Sequence, residues 1–121
     1  MTQVLGIIDI VWRGRTIPVE KGATIRLGGI KNTGVTYGRT VGRAGEFQGS
    51  EVNATTNLQR GQRATDLFDE TEGELQVRCD TGQTFVINDA FLEGDRPVIT
   101  GGEGGKIPLK WMGGVAEEIL A

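Results

Sequence analysis

Few residues of this chain have the types and spacing that chemistry requires. The 121 residues include no histidine, which removes the commonest general base and the commonest transition-metal ligand. The one cysteine, Cys79, cannot form an internal disulfide or a thiolate zinc cluster. It falls on the apolar side of a predicted strand, so we expect a small buried hydrophobe. A reactive thiol would need a cationic neighbour, and Arg78 is expected to point to the opposite face.

Two further stretches invite a catalytic interpretation. Carboxylates crowd the run from Asp66 to Glu74, where paired acids could act in acid–base catalysis, but a solvated acidic patch fits the loop context better. Gly101–Gly105 precedes Lys106 as in a phosphate-binding loop, yet Thr100 replaces the first glycine and Ile107 the final Ser or Thr. We therefore predict a turn there, and no catalytic residue, metal ligand or cofactor site anywhere.

Charge is distributed unevenly along the chain. Residues 1–65 contain nine Lys or Arg and four Asp or Glu, whereas residues 66–95 contain nine acidic residues and one Arg. Two interpretations stay open, either ordinary solvated surface or opposite surfaces through which copies of the chain attract each other. The basic residues are not interleaved with aromatic ones, so no nucleic-acid recognition motif is predicted. No signal peptide is expected, and no membrane partner, because no apolar run approaches ~20 residues.

The elements that position these residues are predicted to be mainly strands. Leu75, Val77 and Cys79 alternate with polar residues, Asp80-Thr-Gly forms a turn, and β-rich residues resume from Thr84 to Ile87, which predicts a central hairpin. Other strands are predicted at residues 4–12, 16–19, 23–27, 46–56, from 98 and at 106–111.

One helix and the tail complete the predicted elements. A short amphipathic helix is expected near Gln59–Asp69, with Leu67 and Phe68 facing the sheet; the alternative for that stripe is a partner helix. The tail from Val115 is expected to fray or to dock on a neighbouring molecule.

Two segments lack the apolar face of a core strand. Residues 31–49 are glycine-rich and basic, which is unusual inside a compact domain and predicts a protruding loop or extended hairpin completed by a partner outside the subunit. In the strand at residues 46–56, Glu51, Asn53 and Thr55 share one side and neither side is strongly apolar. That pattern indicates contact with water or with a solvated channel.

The order of the motifs resembles the tail tube proteins of Mu-like contractile-tailed phages. The resemblance covers nearly all of residues 1–121 as one domain and rests on three short motifs, Leu27-Gly-Gly-Ile-Lys, Asp80-Thr-Gly-Gln-Thr, and Gly102-Glu-Gly-Gly ahead of Leu109-Lys-Trp. It implies a non-enzymatic, mainly β subunit with a β-sandwich or barrel-like tail-tube fold and one short flanking α-helix. Such subunits form hexameric rings that stack into a hollow tube inside a contractile sheath.

The resemblance also implies partners and contact residues. The partners would be other copies of the chain, the tail sheath protein, baseplate and tail terminator proteins, and phage DNA that passes through the lumen without specific binding. The location would be the virion tail, and the host cytoplasm during assembly. The loop at about residues 32–49 would reach an adjacent ring, with the candidate contacts Tyr37, Arg39, Arg43 and Phe47. Glu51, Asn53 and Thr55 are the candidate lumen face, which should be neutral or acidic because Lys and Arg dominate phosphate binding.

Two other functions remain open at this point. The chain could be the tube subunit of a phage-derived contractile bacteriocin or secretion system. It could instead be a small β-barrel binding module, which would bind a ligand or nucleic acid saturably as a monomer. An enzyme has the least support in the residues.

Overall fold

The computed structural model describes residues 2–6, 8–60, 63, 65, 68, 71–102 and 104–120. These residues form ten strands and no α-helix, so the prediction of a mainly β protein is confirmed. The strands are β1 (Ile8–Trp12), β2 (Arg15–Ile17), β3 (Thr24–Arg26), β4 (Gly29–Tyr37), β5 (Thr40–Gln48), β6 (Ser50–Asn57), β7 (Gly73–Cys79), β8 (Gln83–Leu92), β9 (Lys106–Gly113) and β10 (Glu117–Leu120).

Eight of these strands form one antiparallel sheet. The order is β2-β1-β7-β8-β9-β6-β3, with β10 also paired to β8, while β4 and β5 form a separate two-stranded sheet. The predicted central hairpin is β7–β8, in which Val77 lies opposite Phe85. Its turn is closed by the Gly82 N–H, which donates to the Cys79 carbonyl (3.1 Å), and Gly82 has a φ of 101°, which glycine adopts without strain.

Strand β8 joins the two halves of the sheet. Val86 pairs with Gln76 of β7 on one edge and with Glu117 of β10 on the other. Farther along β8, Phe91 pairs with Met112 of β9. The register of this pairing continues that between β8 and β10, so β9 and β10 together form one interrupted ladder along the same edge of β8. The tail expected to fray or dock on a neighbour is therefore β10, an edge strand of its own subunit.

The two halves of the sheet enclose one hydrophobic core. The alternation predicted for the last strand is confirmed, since Ile107, Leu109 and Trp111 are all buried. The indole rings of Trp12 on β1 and Trp111 lie 5.9 Å apart, which brings the two halves into contact. Burial of each large apolar side chain contributes about 1.5–3 kcal/mol, so this cluster supplies most of the driving force for folding.

Two strand predictions were wrong. The strand expected at residues 46–56 is divided at Gly49, where an added Cβ would lie 2.6 Å from the Gly113 carbonyl oxygen. One face of β6 belongs to the core, because Val52 and Ala54 are buried in the same cluster as Leu75 of β7 and Trp111 of β9. Residues 98 and 99 begin no strand and are exposed.

The helix expected near Gln59–Asp69 lies largely outside the described residues, and so does Leu67. Phe68 packs against the core, the direction predicted for it, and its N–H donates to the Thr65 carbonyl (3.3 Å). The Arg13 guanidinium then donates to the carbonyls of Thr71 (2.7 Å) and Glu72 (2.8 Å), fixing the chain as it enters β7. Across the described residues, no helix has the length and hydropathy that a bilayer crossing requires.

Candidate functional site

The hairpin β4–β5 is exposed on both faces. Its strands are nine residues each and pair from Gly29 with Gln48 to Tyr37 with Thr40. The two-residue connection is Gly38-Arg39, and the φ of 58° at Gly38 suits the tight turns that such hairpins favour. No residue of β4 or β5, both of which are fully described, is buried. Because none of its residues is buried, this hairpin has no covering layer among the described residues. A two-stranded ribbon of that kind is at best marginally stable in water.

One face of this hairpin carries a row of large apolar side chains. Register and alternation place Ile30, Val41 and Phe47 on the same face, with exposed fractions of 66%, 71% and 62%. We call this row the apolar face of the hairpin. Ile30 and Val41 were not among the candidates from sequence, because their shared side depends on the cross-strand register.

The four candidate contact residues in the hairpin do not form one surface. Arg43 and Phe47 lie on the apolar face, and Tyr37 lies on the opposite face with 70% of its surface exposed. Arg39 occupies the turn at the tip. Phe47 lies opposite Ile30 near the base of the hairpin, so a partner that contacted all four would have to extend along the whole hairpin and reach both of its faces.

A network of charged residues covers the outer face of β3, β6 and β9. The Glu51 carboxylate lies 2.8 Å from the Arg26 guanidinium and 3.1 Å from the Lys110 ammonium. The Asn53 side chain donates to the same carboxylate (3.3 Å). Lys110 also pairs with Glu93 at 3.2 Å, so its charge is shared by two acids. We call these residues the Glu51 network.

Strand register explains why these side chains meet. Arg26 of β3 lies opposite Glu51 of β6, and Lys110 of β9 lies opposite Asn53. The polar positions alternate with core positions, so they all project to the outer face. Of the three candidate lumen residues, Glu51 and Asn53 are in contact. Thr55 follows on the same face opposite Pro108, and its carbonyl accepts the Glu20 N–H (2.8 Å).

The electrostatics of the Glu51 network favour its charged form. The hydrogen bond from Lys110, followed by that from Asn53, lowers the pKa of Glu51 below its ordinary value of 4.5, against a smaller opposing effect of burial. The hydrogen bond to Glu51, followed by that to Glu93, raises the pKa of Lys110 above 10.5. Both shifts favour the ionised forms of Glu51 and Lys110 at neutral pH, and Arg26 and Lys110 each lie beside a carboxylate. Sequence reasoning missed Arg26, Lys110 and Glu93 because their meeting depends on which strands are neighbours.

Among the described residues, the side chains that could take part in chemistry show no catalytic arrangement. Cys79 is half-buried, and burial, followed by the negative charge of Asp80, raises the pKa of its thiol, the reverse of what a nucleophile needs. Before β9, the Gly105 N–H donates to the Gly102 carbonyl (2.8 Å) and closes a turn. Within the described part of the chain, no three His, Cys, Asp or Glu side chains could hold a metal ion. Most of the Asp66–Glu74 carboxylates lie outside it.

This antiparallel β protein has an unpartnered hairpin and a polar face whose charges are paired with each other. These features point to a structural protein. The chain matches the phage tail tube protein family over residues 1–118, nearly its whole length, and it belongs to that family. It is therefore a structural tail tube protein and not an enzyme. No curated protein matches it significantly.

Solved structures share the fold at low sequence identity. A chain of the anti-feeding prophage cap, its tube-terminating cap, superposes with a TM-score of 0.66 at 9% identity, covering 94% of this chain and 88% of that one. A chain of the extended PVC sheath–tube complex, an extracellular contractile injection system, gives 0.62 at 7% identity, covering 94% and 88%. A chain of the PVC sheath/tube terminator gives 0.65 at 9% identity, covering 93% and 92%.

Proposed function

We propose that this chain is the tube subunit of a Mu-like contractile-tailed phage, with a β-sandwich or barrel-like subunit assembled into hexameric rings. The rings stack into a tube whose bore passes DNA and which a contractile sheath surrounds. The observation that carries the proposal is the hairpin β4–β5, whose apolar face exposes Ile30, Val41 and Phe47. Family membership supplies the class of protein, and this hairpin supplies a contact that only another molecule can complete.

Ring closure is supported by unpaired strand edges. Strands β2, β3 and β10 each have one partner within the subunit, so each leaves one edge open among the described strands. Open edges invite pairing with other chains, and closing a ring of subunits removes them. Stacking of one ring on the next is a head-to-tail contact that does not close, so it propagates a filament.

The hairpin is proposed to reach the adjacent ring. Burial of Phe47 and its apolar neighbours against that ring would contribute about 1.5–3 kcal/mol for each large side chain. Tyr37 would add a second contact on the opposite face, while Arg39 and Arg43 would meet acidic surface. The segment at residues 32–49 is thus proposed as the protruding element of a single domain.

The face that carries Glu51, Asn53 and Thr55 is proposed to line the bore. Arg26 and Lys110 on that face are ion-paired, so they present little uncompensated positive charge to a passing polyanion. DNA would then move along the bore without specific binding.

Sheath, terminator and baseplate proteins are the proposed partners. The likeness to chains from a sheath–tube complex and a sheath/tube terminator supports the first two. The protein would act in the virion tail after assembly in the host cytoplasm. The same likeness favours a second candidate, the tube of a phage-derived contractile injection device, because the matching assemblies are an anti-feeding prophage and an extracellular injection system.

Electron microscopy of the purified chain at high concentration tests the proposal. Rings or tubes with a central bore are expected, alone or with the sheath protein. A species that stays monomeric in all conditions, with its tail partners present, would contradict it. Saturable, salt-sensitive ligand binding by that monomer would instead support a small binding module. Genes for capsid and DNA packaging beside its own would favour a phage over an injection device.

A further inference from the structure

We propose that Glu51 is the residue that keeps the outer face of β3, β6 and β9 from binding nucleic acid. Its carboxylate is the shared counterion of Arg26 and Lys110. Loss of its charge removes the carboxylate beside Arg26 and leaves Lys110 with Glu93 alone, so the two cations together form a binding site for phosphate groups. The biological meaning rests on the proposed function, in which this face lines a DNA-conducting bore. The binding chemistry does not depend on assembly and belongs to the single subunit.

The exposure of the three side chains supports this role. The side chain of Glu51 is 18% exposed, whereas those of Arg26 and Lys110 are 41% and 44% exposed. The carboxylate therefore lies between two cations that solvent, and hence a phosphate oxygen, can already reach. The backbone holds one cation in place, because the Arg26 guanidinium also donates to the Gly49 carbonyl (3.2 Å).

The spacing of the cations suits an extended polyanion. Arg26 and Lys110 lie on the two strands that flank β6, and neighbouring strands are about 4.8 Å apart, which separates their backbones by about 10 Å. Arg forms bidentate contacts with phosphate and Lys acts as a point charge. A backbone of repeated phosphates can therefore engage both cations once the carboxylate no longer competes.

Stability alone is a weak reason for this arrangement. Partly exposed ion pairs contribute little to folding, because water screens the charges and the side chains lose freedom. One carboxylate that contacts two cations on different strands has a larger effect on the surface potential than on stability. In a ring of identical subunits, each copy would repeat the neutralisation around the bore.

Fluorescence anisotropy of a labelled single-stranded oligonucleotide of about 20 nucleotides tests the proposal on the unassembled, full-length chain at low salt. Glu51→Gln should bind at least about tenfold more tightly than the wild type, with a logarithmic salt slope near about −1.4 for two phosphate contacts. Glu74→Gln is the matched control, because it makes the same charge change on β7. Adding Lys110→Gln to Glu51→Gln should return the affinity to that of the control.

The proposal is overturned if folded Glu51→Gln binds the oligonucleotide no more tightly than folded Glu74→Gln. Should Glu51→Gln fail to fold, Glu51→Thr replaces it, because it removes the same negative charge with a residue that strands favour. A several-fold gain over Glu74→Gln then supports the proposal, and equality with that control overturns it. Tube formation by the wild type is scored separately by electron microscopy, so a failure of the tube proposal is distinguishable from a failure of this one.

Discussion

Trp12 on β1 and Trp111 on β9 meet in the core with their ring centroids 5.9 Å apart and their planes at 52°. The two strands belong to different halves of the sheet, so this contact joins the halves. Neither indole Nε1 has a hydrogen-bond partner among the described residues. The two rings therefore meet by apolar packing, while the Arg13 guanidinium lies over the Trp12 ring, 5.1 Å from its centroid.

Trp111→Ala should lower the free energy of unfolding by about 3–5 kcal/mol, because it leaves a large cavity between the two halves of the sheet. Trp111→Phe should cost less, since the volume lost is smaller and the indole N–H has no bond to lose. Equilibrium urea unfolding followed by circular dichroism measures both. Equal losses for the two variants would mean that cavity volume does not set the stability here.

Gly113→Ala should destabilise the fold by about 1–3 kcal/mol through overpacking. A Cβ at Gly113 would lie 2.5 Å from Cγ2 of Ile87, a fully buried side chain that has no room to move. Gly101→Ala is the matched control, because nothing lies within 4 Å of its added Cβ, and it should be neutral or slightly stabilising. The measurement is the urea midpoint of each variant, which should be lower for Gly113→Ala than for Gly101→Ala. Equal midpoints would rule out the predicted clash.

The Glu51 network should contribute to the dependence of stability on pH. The pKa of Glu51 is below 4.5 in the folded chain, so its contribution is present above pH 4.5 and is lost as the pH falls through the folded-state pKa. The pKa of Lys110 is raised above 10.5, so its contribution is present below pH 10.5 and is lost at higher pH.

Glu51→Gln should flatten the acid limb of this profile by up to about 1 kcal/mol relative to wild type. The measurement is the urea midpoint between about pH 7 and about pH 3, with Glu74→Gln as the control for loss of one negative charge. An acid limb as steep in Glu51→Gln as in the wild type would show that other carboxylates account for it.

Phe47→Ser should leave folding nearly unchanged and impair tube assembly. The side chain is 62% exposed, so the change in stability should stay within about 0.5 kcal/mol. Its proposed partner is the next ring, so the fraction of assembled protein in sedimentation and electron microscopy should fall. Val98→Ser is the control, since Val98 is 68% exposed and lies outside the hairpin. Normal tubes from Phe47→Ser would exclude this side chain from an essential contact.

The local sequence pattern predicted many of the strands but few of the pairings between strands distant in sequence. The hairpin β7–β8 and the inward side of β9 follow from alternation, because a strand with one buried face repeats every two residues. The division at Gly49 was missed, since the cause is the approach of Gly113 from a strand more than sixty residues away. The face of β6 with Val52 and Ala54 is too weakly apolar to predict a core face from sequence, yet both side chains are buried in the cluster that also contains Leu75 and Trp111.

By itself, the sequence determined a glycine-rich, mainly β chain, a segment of residues 31–49 without a core face, either a loop or an extended hairpin, and Glu51 and Asn53 on the same side of one strand. Only the tertiary structure decided that Arg26 and Lys110 share the Glu51 carboxylate and that Ile30, Val41 and Phe47 share one face. The physical reason is register. Alternation assigns each residue to one of two sides of its own strand, but the pairing of strands distant in sequence decides which of those sides meet.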